Sequence, residues 1–208
     1  MSSVSIIDYG KGNVRSVFNA LDYLGVDAKI TNDFQSIDDS SHLILPGVGA
    51  YGDAMEAIKN YGLDETLYKQ VVEKGKPFLG ICVGMQVLSE IGYEHGEYNG
   101  LGWLDAQVIK LQAGPECLKI PHMGWNSINL RFDHPIFNGF SNEMLVFYFV
   151  HSFFMRTEDS EKILASCEYG SNFTASIAWD NIVATQFHPE KSQDAGIDLL
   201  DNFINWRP

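Results

Sequence analysis

Three short runs in the first part of the chain are apolar on nearly every residue, and each stops at a glycine-bearing loop followed by apolar residues at helical spacing. Val4 to Asp8 ends at Tyr9-Gly10-Lys11-Gly12-Asn13 and is followed by Val14, Val17, Phe18, Leu21 and Leu24, closed by Gly25. His42 to Leu45 is stopped by Pro46-Gly47-Val48-Gly49, and helical spacing then runs between Tyr51 and Glu73. Gly75-Lys76-Pro77 breaks that pattern, and Phe78-Leu79-Gly80-Ile81 runs directly into Cys82. Runs apolar on both faces belong to strands buried on both sides, and strands alternating with helices build a parallel sheet covered on both faces. Val26 to Thr31 reads as a further strand.

Beyond about Leu101 the texture changes. Trp103 to Leu111, Met144 to Phe154, Ile163 to Glu168 and Phe173 to Phe187, broken at Asp180-Asn181, read as strands with few helices between them. Ser192 is placed to cap a last helix that carries Ile197, Leu200, Phe203 and Ile204 on one side. No linker, repeat or low-complexity tract divides the chain. The expectation is one α/β domain over residues 1–208: an open, doubly wound, mostly parallel sheet with a β-rich, partly antiparallel C-terminal half.

Charge narrows the partners. Fourteen Lys and Arg against 27 Asp and Glu leave −13 at pH 7, and no basic cluster interrupts the acidity. Nucleic acid and anionic membrane are excluded as partners on that ground, and a partner docking through charge presents a basic face. The longest apolar stretches fall well short of the roughly 20 residues a membrane helix needs. The N-terminus has no basic leader and carries Asp8 where a signal peptide is still apolar, so the chain is expected in the cytoplasm. Cys82, Cys117 and Cys167 form no C-x-x-C pair, which argues for neither a disulfide framework nor a metal site.

The chemistry concentrates in three places. Gly80-Ile81-Cys82-Val83-Gly84 repeats the G-x-S-x-G nucleophile elbow with sulfur for oxygen, in the strand-to-helix context that the motif requires. Its glycines let neighbouring chain pass close to a strained turn, and helix amides starting at Val83 favour the thiolate, the species that attacks. Gln186-Phe187-His188-Pro189-Glu190 places a carboxylate two residues from an imidazole, which fixes a ring tautomer and stabilises the imidazolium. Pro46-Gly47-Val48-Gly49-Ala50-Tyr51 follows a sheet strand, where an open α/β fold keeps its ligand crevice. Val48 or Gly49 there supplies an oxyanion-hole N–H beside that of Val83. On these residues alone Cys82 is a nucleophile or a core cysteine, and the His-Pro-Glu turn is catalytic or an ordinary loop.

Cys82, His188 and Glu190 in this order resemble the class I, or triad, glutamine amidotransferase family. The words Tyr9-Gly10-Lys11-Gly12-Asn13, Gly80-Ile81-Cys82-Val83-Gly84-Met85-Gln86, Pro121-His122-Met123-Gly124-Trp125-Asn126, Tyr148-Phe149-Val150-His151-Ser152-Phe153 and Gln186-Phe187-His188-Pro189-Glu190-Lys191-Ser192 extend the likeness along nearly the whole chain. The resemblance implies that Cys82 attacks the side-chain amide of glutamine, His188 protonates the departing ammonia and then activates water, and Glu190 orients His188. It implies a glutamine pocket of Gly49, Gln86, Glu94, Ser152 and Phe153 and no cofactor. It also implies a heterodimer in which ammonia passes to a (β/α)8-barrel cyclase subunit of histidine biosynthesis, docked through Asn13, His122, Met123, Trp125 and Lys191. The Ile91-Gly92-Tyr93-Glu94-His95 stretch departs from the family's usual surroundings of that glutamate, and departures such as Val83, Tyr51 and Gly102-Trp103-Leu104-Asp105 leave a second acceptor open, a sugar-amidating partner of surface-polysaccharide synthesis. A non-catalytic binding module and a cysteine peptidase are the remaining readings, disfavoured by the intact triad and by the Pro121 and Tyr148 words respectively.

Overall fold

The computed structural model describes residues 3–112, 114 and 117–208. Met1 and Ser2, at the head of the acid-bearing N-terminal stretch, lie outside them. In chain order the first half runs β1 (Ser3–Ile7), α1 (Val14–Tyr23), β2 (Asp27–Thr31), α2 (Phe34–Asp39), β3 (His42–Gly47), α3 (Tyr51–Asn60), α4 (Leu63–Leu67), a π-helical turn (Tyr68–Glu73), β4 (Phe78–Cys82) and α5 (Val83–Gln86). The second half runs β5 (Ser89–Gly92), β6 (Tyr98–Asn99), β7 (Leu104–Lys110), β8 (His122–Leu130), β9 (Val146–His151), β10 (Phe153–Arg156), β11 (Ile163–Tyr169), β12 (Ser171–Trp179), β13 (Ile182–Thr185) and α6 (Gln193–Asn205).

Nine strands form one sheet in the order β2-β1-β3-β4-β13-β12-β11-β8-β9. From β2 to β13 every neighbour is parallel, and from β13 to β9 every neighbour is antiparallel. The parallel and antiparallel halves expected from the sequence are therefore joined through β13. The strands β10-β7-β5-β6 form a second, separately hydrogen-bonded sheet, with β10 close to β12 of the first. β3, β4 and β13 are buried on every residue, as strands with both faces covered must be.

The chain moves from β1 outward to β2 and then back across to β3, so the direction of winding reverses between β1 and β3. In open α/β sheets such a reversal opens a crevice at the carboxyl ends of the strands. The loop after β1, the end of β3 and the end of β4 meet there. The antiparallel half brings β13 alongside β4, with Thr185 opposite Ile81, so the chain that follows β13 reaches the same crevice.

Candidate active site

Cys82 ends β4 and caps α5 with φ 55° and ψ −110°, a backbone conformation that L-residues avoid and that packing must hold. The glycines explain how. A Cβ on Gly84 would collide with the Leu45 carbonyl oxygen, and one on Gly80 would sit 2.6 Å from the carbonyl oxygen of Gly84. A Cβ on Gly47 would meet the Gly84 nitrogen and the Tyr9 hydroxyl, each at 2.7 Å. β3 thus presses directly on the elbow, with Gly47 in register with Cys82. The next residues, Val48 and Gly49, form an exposed strip beside the sulfur, and Gly49 has φ 91°.

His188 and Glu190 come together through a turn rather than an extended strand: β13 stops at Thr185, and Pro189–Lys191 is a single 3-10 turn. His188 Nδ1 donates to Glu190 Oε1 at 2.8 Å, and both side chains are buried. Asn13 Nδ2 donates to the same carboxylate oxygen at 3.3 Å, tying the loop after β1 to the pair. Burial alone depresses the affinity of an imidazole for a proton, but here the Cys82 thiolate and the Glu190 carboxylate outweigh it and raise the His188 pKa. The imidazole is thus placed to carry a proton between the Cys82 sulfur and the carboxylate behind it. The main chain is clamped as well, His188 N–H donating to the Tyr148 carbonyl at 2.9 Å. Ser192 does not cap α6 with its hydroxyl as the sequence suggested. It donates to the His188 carbonyl at 2.7 Å and accepts from the Tyr148 N–H at 3.0 Å, so it braces the histidine turn against β9.

A cavity of about 170 Å³ opens over Cys82 and His188, lined further by Val48, Gly49, Val83, Gln86, Glu94, Val150, His151, Ser152 and Phe153. Every oxyanion-hole and glutamine-pocket residue expected from the sequence is in that lining. Gln86 is buried, and its Nε2 donates to the Phe153 carbonyl and to Gln186 Oε1, each at 2.9 Å. With both Nε2 hydrogens used, Oε1 is the atom Gln86 has left to offer to the cavity. Glu94 Oε2 accepts from the Tyr51 N–H at the start of α3 at 2.8 Å, which holds an acidic group at the cavity wall where an ammonium would be attracted.

The five residues expected to face a partner divide. Met123 and Trp125 are 61% and 47% exposed, Lys191 is exposed, and Asn13 is half-buried with its amide on Glu190. His122 is the correction: it is 2% exposed, its ring stacked on Tyr169 and Phe149, so it touches core and not solvent. The alternation of β8 explains this, since residues 123 and 125 share the outer face and 122 points inward. Across the ladder Trp125 pairs with Tyr148, edge to face, and Lys191 Nζ lies 6.0 Å from the Tyr148 ring. Tyr148 belongs to the outer patch and was singled out only as part of a motif.

Three residues near the reacting atoms carried no assigned role in the sequence. Tyr9 is buried with its hydroxyl unpaired in the protein, and its pKa is raised by burial and then by the charge of Cys82. Gln186 Nε2 lies 3.5 Å from Cys82 Sγ. His151 Nδ1 donates to the Phe153 carbonyl at 2.9 Å. Tyr9 and Gln186 stand beside motif residues, the one signal available. Cys167 is buried with its pKa pushed up to about 12, first by desolvation, and so stays a thiol. No cluster of metal-ligating side chains occurs among the described residues, and none of their helices is long and apolar enough to cross a membrane.

Comparison with known proteins agrees with this geometry. The model of the family described as glutamine amidotransferase class-I matches residues 5–206. The chain is 50% identical to imidazole glycerol phosphate synthase subunit HisH 2 of Nitrobacter winogradskyi, with all of both chains covered. It is 47% identical to subunit HisH of Aquifex aeolicus, covering 95% of this chain and 94% of the relative, and 43% identical to subunit HisH 2 of Pseudomonas aeruginosa, covering 97% and 98%. In fold it is similar to PurLQS from Thermotoga maritima, with a TM-score of 0.77 at 21% identity over 98% of both chains.

Proposed function

The chain belongs to the class-I glutamine amidotransferase family, and from that premise we propose that it is the glutamine-hydrolysing subunit of an imidazole glycerol phosphate synthase. The observation that carries the reading is the strained Cys82 facing a His188 whose Nδ1 is locked 2.8 Å from Glu190. The thiolate attacks the side-chain carbonyl carbon of glutamine. N–H groups of Val83 and of the Val48-Gly49 strip receive the oxyanion, and His188 gives its Nε2 proton to the amide nitrogen, which leaves as ammonia. Water, deprotonated by His188, then opens the thioester and releases glutamate. Glu190 stays ionised throughout, stabilising the imidazolium and holding its tautomer.

The relatives' names support a cyclase subunit as the acceptor of ammonia and give no support to the sugar-amidating alternative. The partner we propose is a (β/α)8-barrel cyclase that covers Met123, Trp125, Tyr148 and Lys191. A barrel face that buries this patch on a chain of net charge −13 is basic around its rim. Docking there also reaches the catalytic carboxylate through Asn13 and the cavity through β9.

The Val48-Gly49 strip suits control by that partner. Glycines on both sides of Val48 allow its peptide to turn a donor toward or away from the oxyanion site, and one donor is worth about 3 kcal/mol, or roughly a hundredfold in rate. Glutamate release is measured for the chain alone, with the cyclase, and with the cyclase plus acceptor ligand. Rising activity across the three is expected. Full activity of the chain alone removes the control, and activation only by a sugar-modifying partner changes the acceptor.

A further inference from the structure

Gln186 is wholly buried between β13 and the catalytic histidine, and the mechanism above gives it no task. Its main chain is fixed by an N–H bond to the Ala175 carbonyl at 2.8 Å. Its side chain stands in an ordered series of hydrogen bonds whose direction is dictated by one atom. The Phe153 carbonyl oxygen accepts only, so Gln86 must turn Nε2 toward it. The other hydrogen on Nε2 then points at Gln186 and requires Oε1 there as acceptor. That leaves Gln186 Nε2, a donor, aimed at Cys82 Sγ at 3.5 Å. The Phe153 carbonyl is held from its other side by His151 Nδ1 at 2.9 Å, and His151 Nε2 in turn lies 3.1 Å from His122 Nδ1. The amide orientations therefore follow from the network, and the anchor runs back into the aromatic packing around His122.

We propose that Gln186 is a positioning residue for the nucleophile: its amide donates to Cys82 Sγ and stabilises the thiolate before glutamine arrives, locked in that orientation by Gln86 against the Phe153 carbonyl. The inference rests on the reading of Cys82 as the attacking group. A hydrogen bond to a charged acceptor outweighs one to a neutral thiol, so the donor acts on the sulfur's protonation and not only on its place. Gln186 and His188 are two residues apart and approach the sulfur together, one as a fixed neutral donor and the other as the carrier of the moving proton.

The test is the pH dependence of Cys82 alkylation by iodoacetamide in the full-length chain without glutamine, alone and with its cyclase, using peptide mass mapping to separate Cys82 from Cys117 and Cys167. Gln186→Met removes the donor at similar volume. The expected result is a midpoint raised by about one pH unit and alkylation at pH 7 slowed roughly tenfold. Gln186→Leu removes the donor with a different apolar shape and is expected to raise the midpoint by the same amount; it carries the test if the methionine variant does not fold. Gln86→Met, which frees the Gln186 amide to turn, shifts the midpoint the same way by less. Unchanged midpoints in folded Gln186 variants overturn the proposal and leave the glutaminase reading standing. Absence of glutamate release by the unsubstituted complex overturns that reading, while the alkylation profile still reports on Gln186.

Discussion

In the parallel half of the large sheet β3, β4 and β13 are buried on every residue and keep their chemistry at the strand ends, whereas β9 at the antiparallel edge alternates buried and half-buried residues along its length. The two halves bring residues to the site by different rules. In the first, a strand is a rod that delivers whatever follows its last residue: Val48 and Gly49 after β3, the elbow at the end of β4, His188 beyond β13. In the second, parity decides. On β8 and β9, His122, Phe149 and His151 enter the core while Met123, Trp125, Tyr148 and Val150 take the other face. The catalytic charge belongs to the strand ends, and the patch we assign to a partner belongs to the outer face of the antiparallel edge.

The sharpest way to break this division is Cys82→Ala. Glutamine-dependent synthesis by the complex is expected to fall to background while synthesis from added ammonium salts persists, because the partner's chemistry does not use the sulfur. Loss of both would mean that the elbow also holds the interface. Glu190→Gln is next. It keeps the hydrogen-bonding shape but removes the charge behind His188, and turnover should drop about a hundredfold with little change in the glutamine KM. Steady-state kinetics at varied glutamine separates the two parameters.

His188 and the two histidines of the antiparallel edge titrate in opposite senses. Burial lowers the pKa of His122 to about 4 and of His151 to about 3, from an ordinary value near 6.5. Both are neutral in the fold and charged in the unfolded chain at mild acidity, so stability is complete above about pH 6.5 and falls as pH drops toward 4. At pH 5 the loss is about 1–2 kcal/mol per histidine. His188 has its pKa raised, so what it adds is complete below about pH 6.5 and is lost as pH rises through its folded value. Urea unfolding from pH 5 to 9 reads both arms, and His122→Gln should flatten the acid arm only.

The smallest effect tests parity itself. Trp125→Ala should weaken cyclase binding roughly tenfold while leaving the isolated chain's stability within about 0.5 kcal/mol. Titration calorimetry and urea midpoints measure the two. Should Trp125→Ala cost stability instead, β8 would present its other face to the partner.

Much of this was legible before any coordinates. Continuous apolar runs identify doubly buried strands because no residue on them has to meet water, and Gly80 and Gly84 around Cys82 spell an elbow because only glycine lets α5 approach residue 80 and β3 approach residue 84 that closely. The order β1 to β4 with helices between follows from the same pattern. His122 misled because a motif names neighbours without saying which way each side chain points, and a strand reverses that direction at every residue. The four-stranded second sheet was not legible either: β5 and β6 are short, and what holds them is the pairing of β6 with β5 and of β5 with β7.

The sequence by itself determined a parallel α/β sheet, the elbow at Cys82 and the turn that puts Glu190 beside His188, since local periodicity and backbone sterics are written residue by residue. Only the tertiary structure decided that β13 returns beside β4 to carry His188 to Cys82, and that the Phe153 carbonyl turns Gln86 and Gln186 so that a donor faces the sulfur. Those outcomes depend on strand pairing and on hydrogen-bond direction between residues far apart in the chain, where an amide's orientation is set by the acceptor it meets.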